Sequence, residues 1–267
     1  MVADTDLGAL AADLAREAGV LALRRRAEGV SLAATKSTVA DIVTEADREV
    51  ESLIRERLRR ERPEDGFLGE ELDAAAGTSG LTWVVDPIDG TVNYASGIPT
   101  YSVSVAIVEG EPSPEAWRGV AGAVYAPVLD ELFTAVRGEG AWLGAERLAV
   151  TEETPAGALL GTGFGYDPST HDGDLATVRR VMTIARDLRR MGSAAIDLSY
   201  VAAGRLDGFF ERGLNAWDFA AGALLVEEAG GVVSRLDTAA PRPMLIAGGP
   251  RVHERLRALI ADTTERT

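Results

Sequence analysis

Two acids three residues apart, Asp86 and Asp89, stand where an apolar run gives way to a turn, in Trp83-Val84-Val85-Asp86-Pro87-Ile88-Asp89-Gly90-Thr91. Three successive apolar residues suit a buried strand, Pro87 cannot donate to a ladder, and Asp89-Gly90 is a turn signal. The pattern predicts two carboxylates held close together at a strand end. Carboxylates so placed repel, and away from water one of them must take up a proton, find a cation or bind a metal. If a helix opens at Thr91, the N–H groups of Gly90 and Thr91 also become available to an anion. By itself the segment is equally consistent with ordinary turn chemistry, so the weight falls on acids elsewhere.

Gly66-Phe67-Leu68-Gly69-Glu70-Glu71 repeats the theme, a short apolar strand emptying into acids. Asp218 follows Trp217 at the opening of a helical stretch through Leu224, Leu225 and Glu228 that closes at Gly230-Gly231, and it reads as the N-cap. Thr44-Glu45-Ala46-Asp47 matches a capping box with Asp in place of Glu, which accounts for Asp47 without any chemistry. Pooled, Glu70, Asp86, Asp89 and Asp218 lie where regular structure begins or ends. A set of oxygen ligands suits a hard cation, and magnesium in particular binds through a few carboxylates, water and substrate phosphate. The expected site is a magnesium cluster.

Composition narrows the field. The 267 residues contain no cysteine, which removes disulfides, thiolate metal sites and a cysteine nucleophile together. The two histidines, His171 and His253, are too few for a zinc site built on imidazoles, and both read as surface residues. A formal net charge of −15 argues against direct nucleic-acid binding, so phosphate would have to be handled through bound cations. No apolar run approaches the ~18 residues of a membrane span, and Met1-Val2-Ala3-Asp4 lacks a basic secretory start. The expected location is the cytoplasm.

The elements that must position these acids follow from periodicity. Leu7, Leu10, Leu14, Ala18 and Leu21 share one face of a helix over residues 6–26, and Val50, Leu53, Ile54 and Leu58 one face of a second helix. Residues 29–40 lose the pattern, with Lys36 in a loop. Strand signals at 100–109, 117–126, 130–136 and 146–150 predict a mainly antiparallel sheet. Beyond Pro155 short strands and helices alternate: strand 158–163, helix 175–188, helix 193–203, strand 206–211, helix 216–228, strands 232–236 and 244–247, and a helix from Arg251. Nothing resembles a linker between independent domains.

The acids also bear on the reaction. An aspartyl nucleophile for phosphoryl transfer needs two acids two residues apart after a strand. Asp86 and Asp89 are three apart, and Asp172-Gly173-Asp174 has the spacing without the strand. What remains is metal-activated water attacking phosphorus in line. Asp86-Pro87-Ile88-Asp89-Gly90-Thr91, with Gly69-Glu70-Glu71, Gly192-Ser193-Ala194 and Trp217-Asp218 followed by Glu228-Ala229-Gly230-Gly231, resembles the inositol monophosphatase family over nearly the whole chain.

That resemblance implies a layered α/β fold with α+β character, alternating helices and sheets in one unit. An antiparallel-rich half over 1–150 would carry most ligands, and an α/β half over 151–267 would supply Asp218 and the substrate pocket. It implies two to three Mg2+ ions held by Glu70, Asp86, the Ile88 carbonyl, Asp89 and Asp218. Asp47 would hydrogen-bond Thr91, and Thr91 with Glu70 would orient the attacking water. Gly90 and Thr91 would hold the phosphate, while Asp89, Ala194, Glu211 and Asp218 would meet substrate hydroxyls. Glu211 read without the resemblance simply pairs with Arg212 or a surface lysine, and Lys36 would be a loop lysine near the metals. Lithium sensitivity and a homodimer are further implications. The substrate would be inositol 1-phosphate, with histidinol phosphate, fructose 1,6-bisphosphate and 3′-phosphonucleotides as rivals. Asn215-Ala216 departs from the proline the family often places before the tryptophan. A binding protein associated with transcription machinery is the alternative of another class.

Overall fold

A computed structural model describes residues 4–29, 32–35, 42–151, 156–165, 168–237 and 242–261. Lys36 lies outside the described residues. The chain runs α1 (Asp4–Glu28), β1 (Leu32–Thr35), β2 (Ile42–Thr44), α2 (Glu45–Glu61), β3 (Gly66–Gly69), β4 (Leu81–Asp89), α3 (Thr91–Ser96) and β5 (Ser102–Glu109). It continues with β6 (Arg118–Ala126), β7 (Glu131–Val136), β8 (Gly140–Leu143), β9 (Glu146–Arg147), β10 (Ala158–Thr162), α4 (His171–Val181), β11 (Ala185–Arg189) and α5 (Ala194–Ala202). The last elements are β12 (Gly208–Arg212), α6 (Ala216–Glu228), β13 (Val232–Leu236), β14 (Met244–Gly248) and α7 (Pro250–Ala261).

Strand alternation sorts these elements into layers. Trp83, Val85, Val103, Val105 and Ile107 face α1 and α2, burying Leu14, Ala18, Val50 and Ile54 beneath them. The opposite face of the same seven-stranded sheet, through Val84, Ala106, Val108 and Phe133, packs on Leu198 of α5 and Leu224 and Leu225 of α6. That helix layer also covers Phe209, Leu245 and Ala247 of a five-stranded sheet, ordered β11-β10-β12-β14-β13. The outer face of this second sheet, Leu160, Phe210 and Ile246, is closed by Val181 of α4 and by Val252, Leu256 and Ile260 of α7. The result is the expected alternating sandwich, helices, sheet, helices, sheet, helices. Each fully buried large side chain contributes about 1.5–3 kcal/mol of transfer free energy. α5 and α6 approach closely because Gly222 has no Cβ to strike Leu198.

Pairing register delivers the acids. β3 lies parallel to β4 with Phe67 opposite Trp83 and Gly69 opposite Val85, so Glu70 leaves its strand level with Asp86. β4 and β5 are antiparallel, and the register shifts between Asp86 and Asp89, where Pro87 interrupts the ladder. The strand therefore does not stop at Asp86. It bulges and carries Asp89 onward on the same edge of structure.

Several expectations are corrected. The helix expected over 175–188 ends at Val181, and 185–189 instead forms a strand parallel to β10. Local propensity in Arg186-Asp187-Leu188-Arg189-Arg190 favours a helix, but the open edge of β10 offers backbone partners that outweigh it. The strand expected at 146–150 pairs only at Glu146 and Arg147, and Gly140–Leu143 forms a strand where glycine turns alone were read. Residues 32–35 pair with 42–44 inside the stretch read as patternless. Asp218 is not the N-cap: Asn215 is, and Asp218 sits at the third helical position, its carboxylate accepting the Asn215 N–H at 2.6 Å. His253 is buried and meets Ser234 Oγ at 2.7 Å, and half-buried His171 contacts the Gly165 carbonyl at 3.0 Å.

Candidate active site

One cavity of about 370 Å³ opens between the two sheets at the ends of α5 and α6. Glu70, Asp86, Ile88, Asp89, Gly90, Thr91, Ala194, Glu211 and Asp218 all line it. Of the residues singled out from sequence, only Asp47 stands behind the wall, and Lys36 lies outside the described residues.

Asp47 confirms the cap and adds to it. One carboxylate oxygen accepts both the Thr44 N–H and the Thr44 hydroxyl, closing the capping box. The other oxygen accepts from Thr91 Oγ1 at 3.2 Å. The same hydroxyl lies 3.1 Å from the Ile88 carbonyl. A hydroxyl has one proton, so Thr91 donates to Asp47 or to Ile88, not both at once. Burial pushes the Asp47 carboxyl up to about 7, with the field of Glu70 and Glu71 adding to the Thr44-opposed shift.

Asp89 is the joint between the halves. Its carboxylate accepts from Ser193 Oγ at 2.5 Å, Ala195 N–H at 2.7 Å and Ala194 N–H at 3.3 Å. These donors are the free N-terminal groups of α5, where negative charge is favoured. Burial still lifts Asp89 to about 6, although those hydrogen bonds act against it and Glu70 adds repulsion. Among the described residues, Asp86 accepts only the N–H of Ile88, at 3.1 Å. Burial raises it well above the usual carboxylate range, and Glu70, Asp89 and Asp218 raise it further. Asp218 is raised likewise, by burial first and then by Asp89 and Glu70.

The charges acting most on Asp86, Asp89 and Asp218 are thus other carboxylates. Like charges gathered away from water are costly unless a cation joins them. The donor set is all oxygen, it lines one cavity, and its members raise one another's pKa. It fits a hard divalent ion. Among the described residues no group of three or more acids or histidines already forms a closed ligand cage. The carboxylates share a cavity and one another's field without yet sharing a focus.

The far wall of the cavity is different. Glu211 carries its carboxylate across Gly163, which leaves no room for a Cβ there. Burial lifts Glu211 to about 8, against the pull of Arg190 and with Asp89 and Asp174 adding to the rise. Arg212 is not its partner, since it is buried against Asp174 at 2.8 Å. Arg190 and Arg242 also line the cavity, Arg242 donating to Asn215 Oδ1 at 2.7 Å. Neither arginine was singled out from sequence. Arg189-Arg190 before Gly192 was the available signal, but it lies between the helices expected over 175–188 and 193–203 and reads as a connection.

Residues 4–266 match the sequence model of the inositol monophosphatase family. The chain belongs to that family. An inositol-1-monophosphatase of Rhizobium meliloti is 48% identical over 196 residues, 72% of this chain and 71% of that protein. The Nus factor SuhB of Haemophilus influenzae is 41% identical over 226 residues, 84% of this chain and 82% of that protein. The solved extragenic suppressor protein suhB of Bartonella henselae superposes with a TM-score of 0.86 at 36% identity, covering 96% of this chain and 98% of that one. Family membership accounts for the shared layered fold. Among the described residues, no helix is long and apolar enough to cross a membrane.

Proposed function

We propose that this chain is a magnesium-dependent phosphomonoesterase that hydrolyses inositol 1-phosphate, or a close polyol phosphate, to the free polyol and phosphate. The observation that carries the reading is the gathering of Glu70, Asp86, Asp89 and Asp218 on one cavity, three of them held above their ordinary pKa values by burial and by other acids. Glu70, Asp86, Asp89, Asp218 and the Ile88 carbonyl are the groups that would hold two to three Mg2+ ions. When bound, those ions supply charge neutralisation at phosphate and lower the pKa of water.

This chain's own residues do the rest. With the Ile88 carbonyl taken up by an ion, the Thr91 hydroxyl would donate its hydrogen bond to Asp47, leaving its oxygen to accept a hydrogen bond from water. Glu70, leaving the same end of the neighbouring strand, fixes the direction of that water. The N–H groups of Gly90 and Thr91, unclaimed by helix bonds at the start of α3, face the phosphate oxygens. Glu211, with Asp89 and Asp218, offers acceptors to vicinal hydroxyls. The Ala194 N–H, bonded to Asp89 at a long 3.3 Å, is the donor most easily redirected to substrate. We expect lithium inhibition, a homodimer and a cytoplasmic location, as in the notable family pattern.

A panel assay of phosphate release tests the substrate. Inositol 1-phosphate should head the series, and histidinol phosphate turning over a hundredfold better would overturn that choice. The name of the SuhB relatives favours one other reading, a binding protein that acts with transcription machinery. At a net charge of −15 such a role would run through protein contacts rather than nucleic acid. Asp89→Asn separates the two, because it should abolish hydrolysis and leave a surface-borne role intact.

A further inference from the structure

Glu51 is a buried carboxylate on α2 that the reaction does not use. It stands one helical turn beyond Asp47, so both project from the same face of the helix toward β3 and the cavity wall. Its two oxygens are fully engaged, one accepting the Glu71 N–H at 2.8 Å and the other the Leu72 N–H at 2.8 Å. These are consecutive backbone amides of the segment that leaves β3 after Gly69. Gly69 lets the carboxylate lie against the chain, for a Cβ at that position would collide with both Glu51 oxygens.

Burying a carboxylate is expensive, and a helix surface offers cheaper ways to fill space. Held there, the group must repay its cost by fixing something. What it fixes is the first backbone after the strand, immediately beyond Glu70. β3 is an edge strand of four residues, laddered to β4 on one side and met on the other by a single antiparallel bridge between Phe67 and Ala75. Its ladder ends at Gly69, so the pairing does not set the direction of Glu70.

We propose that Glu51 is a positioning residue: its bidentate grip on the Glu71 and Leu72 amides aims the Glu70 carboxylate into the cavity and so sets the affinity for the divalent ion. This rests on the reading of Glu70 as a metal ligand. Groups that orient ligands from behind are worth about 10–100-fold in metal affinity or activity.

The test uses the full chain, with Mn2+ as the probe and free ion measured by electron paramagnetic resonance. Glu51→Gln keeps size but offers one acceptor where two are needed. Glu51→Asp keeps the charge but withdraws it from the amides by one methylene. Both should weaken Mn2+ binding at least ~10-fold, and hydrogen exchange at Glu71 and Leu72 should accelerate by a similar factor. At saturating Mg2+ kcat should fall much less than metal affinity. Ile54→Val, a core change on the same helix, lowers the melting temperature without touching the grip and should leave Mn2+ affinity unchanged. Unchanged exchange in Glu51→Gln, unchanged Mn2+ affinity in both Glu51 variants, or an equal loss of affinity in Ile54→Val would overturn the proposal. Glu70→Gln distinguishes the two levels: if it binds Mn2+ like the wild type, the metal reading itself fails, whatever happens to amide exchange.

Discussion

Asp89→Asn should separate stability from activity, leaving the first nearly unchanged while the second collapses. In the metal-free protein Asp89 is lifted from 3.8 to about 6. At about 1.4 kcal/mol per pH unit, ionising it in the folded state costs about 3 kcal/mol. Asparagine removes that cost. It also gives up part of the hydrogen bonding to Ser193, Ala194 and Ala195, because its amide NH2 faces a donor on one side, a loss of about 1–3 kcal/mol. The terms nearly cancel, so metal-free stability at pH 8 should move by no more than about 2 kcal/mol. Activity has no such compensation. Loss of a charge that helps hold the ion and stabilise the transition state should reduce kcat/KM at least ~100-fold, about 2.7 kcal/mol of barrier. Urea unfolding in EDTA and phosphate release in Mg2+, both on the same preparation, give the two numbers. A variant that keeps more than about a tenth of the activity, with an unaltered Mg2+ requirement, would show that Asp89 holds no ion.

Further outcomes follow from the same groups. Asp47 and Glu51 are held near 7 and Glu211 near 8, against about 4 in an unfolded chain. The folded, metal-free protein then binds more protons than the unfolded chain between pH ~4 and ~8, so stability falls as pH rises through that window. Calorimetry in EDTA should record a lower Tm at pH 8 than at pH 5.5, and a higher one would contradict the burial of these acids. Since binding takes ionised ligands, Mg2+ titrated at pH 6, where Asp89 is about half protonated, should release protons, seen as a buffer-dependent heat; no buffer dependence would count against Asp89 as a ligand. Asp47→Asn should cost about 0.5–2 kcal/mol through the Thr44 cap at pH 5.5, where the Asp47 carboxyl is mostly neutral and no ionisation cost is relieved, and ~10–100-fold in kcat through Thr91, measured by urea unfolding and initial rates. For Glu211, mostly protonated at pH 7, Glu211→Gln should leave KM for inositol 1-phosphate within about threefold, while Glu211→Ala raises it ~10-fold. Equal KM values for the two variants would remove Glu211 from the pocket.

Sequence carried the site further than it carried the fold's edges. Glu70, Asp86, Asp89 and Asp218 were legible because each follows an apolar run or opens a helix, so local pattern alone placed them at ends. The two central layers were legible for the same reason, in the alternation of 102–109 and the periodicity of 216–228. Residues 185–189 were not. Ala185-Arg186-Asp187-Leu188-Arg189 is a strand only because β10 presents an open edge to it, a long-range fact absent from its own residues. Glu51 was hidden differently, since a charged residue on a helix reads as solvated until the chain returns at Glu71 and Leu72 to cover it. Glu228, part of the motif shared with the family, holds the Gly138 and Gly140 N–H groups at 3.0 Å each, so part of that motif fastens the turn before β8 instead of serving chemistry.

The acids of this site are not equivalent, and the difference is set by what stands behind each. Asp89 lies on the start of α5 with three donors, so its raised pKa stops at about 6 and it carries charge at neutral pH without a metal. Asp86 has one backbone donor and Asp218 one, and both sit well above the ordinary range. One helix end can make one buried charge tolerable; it cannot do so for three. A divalent ion arriving in the cavity would relieve the repulsion most at Asp86 and Asp218, whose charged forms burial and the neighbouring acids disfavour, and least at Asp89, already held from β4 against α5. Since Asp218 belongs to α6 and Asp86 to β4, an ion held by both would tie that helix to that strand. The same event that readies the site for phosphate would also draw the seven-stranded sheet and α6 onto a common ion, and for that reason metal-induced stabilisation and catalytic competence should rise together across any series of ligand variants.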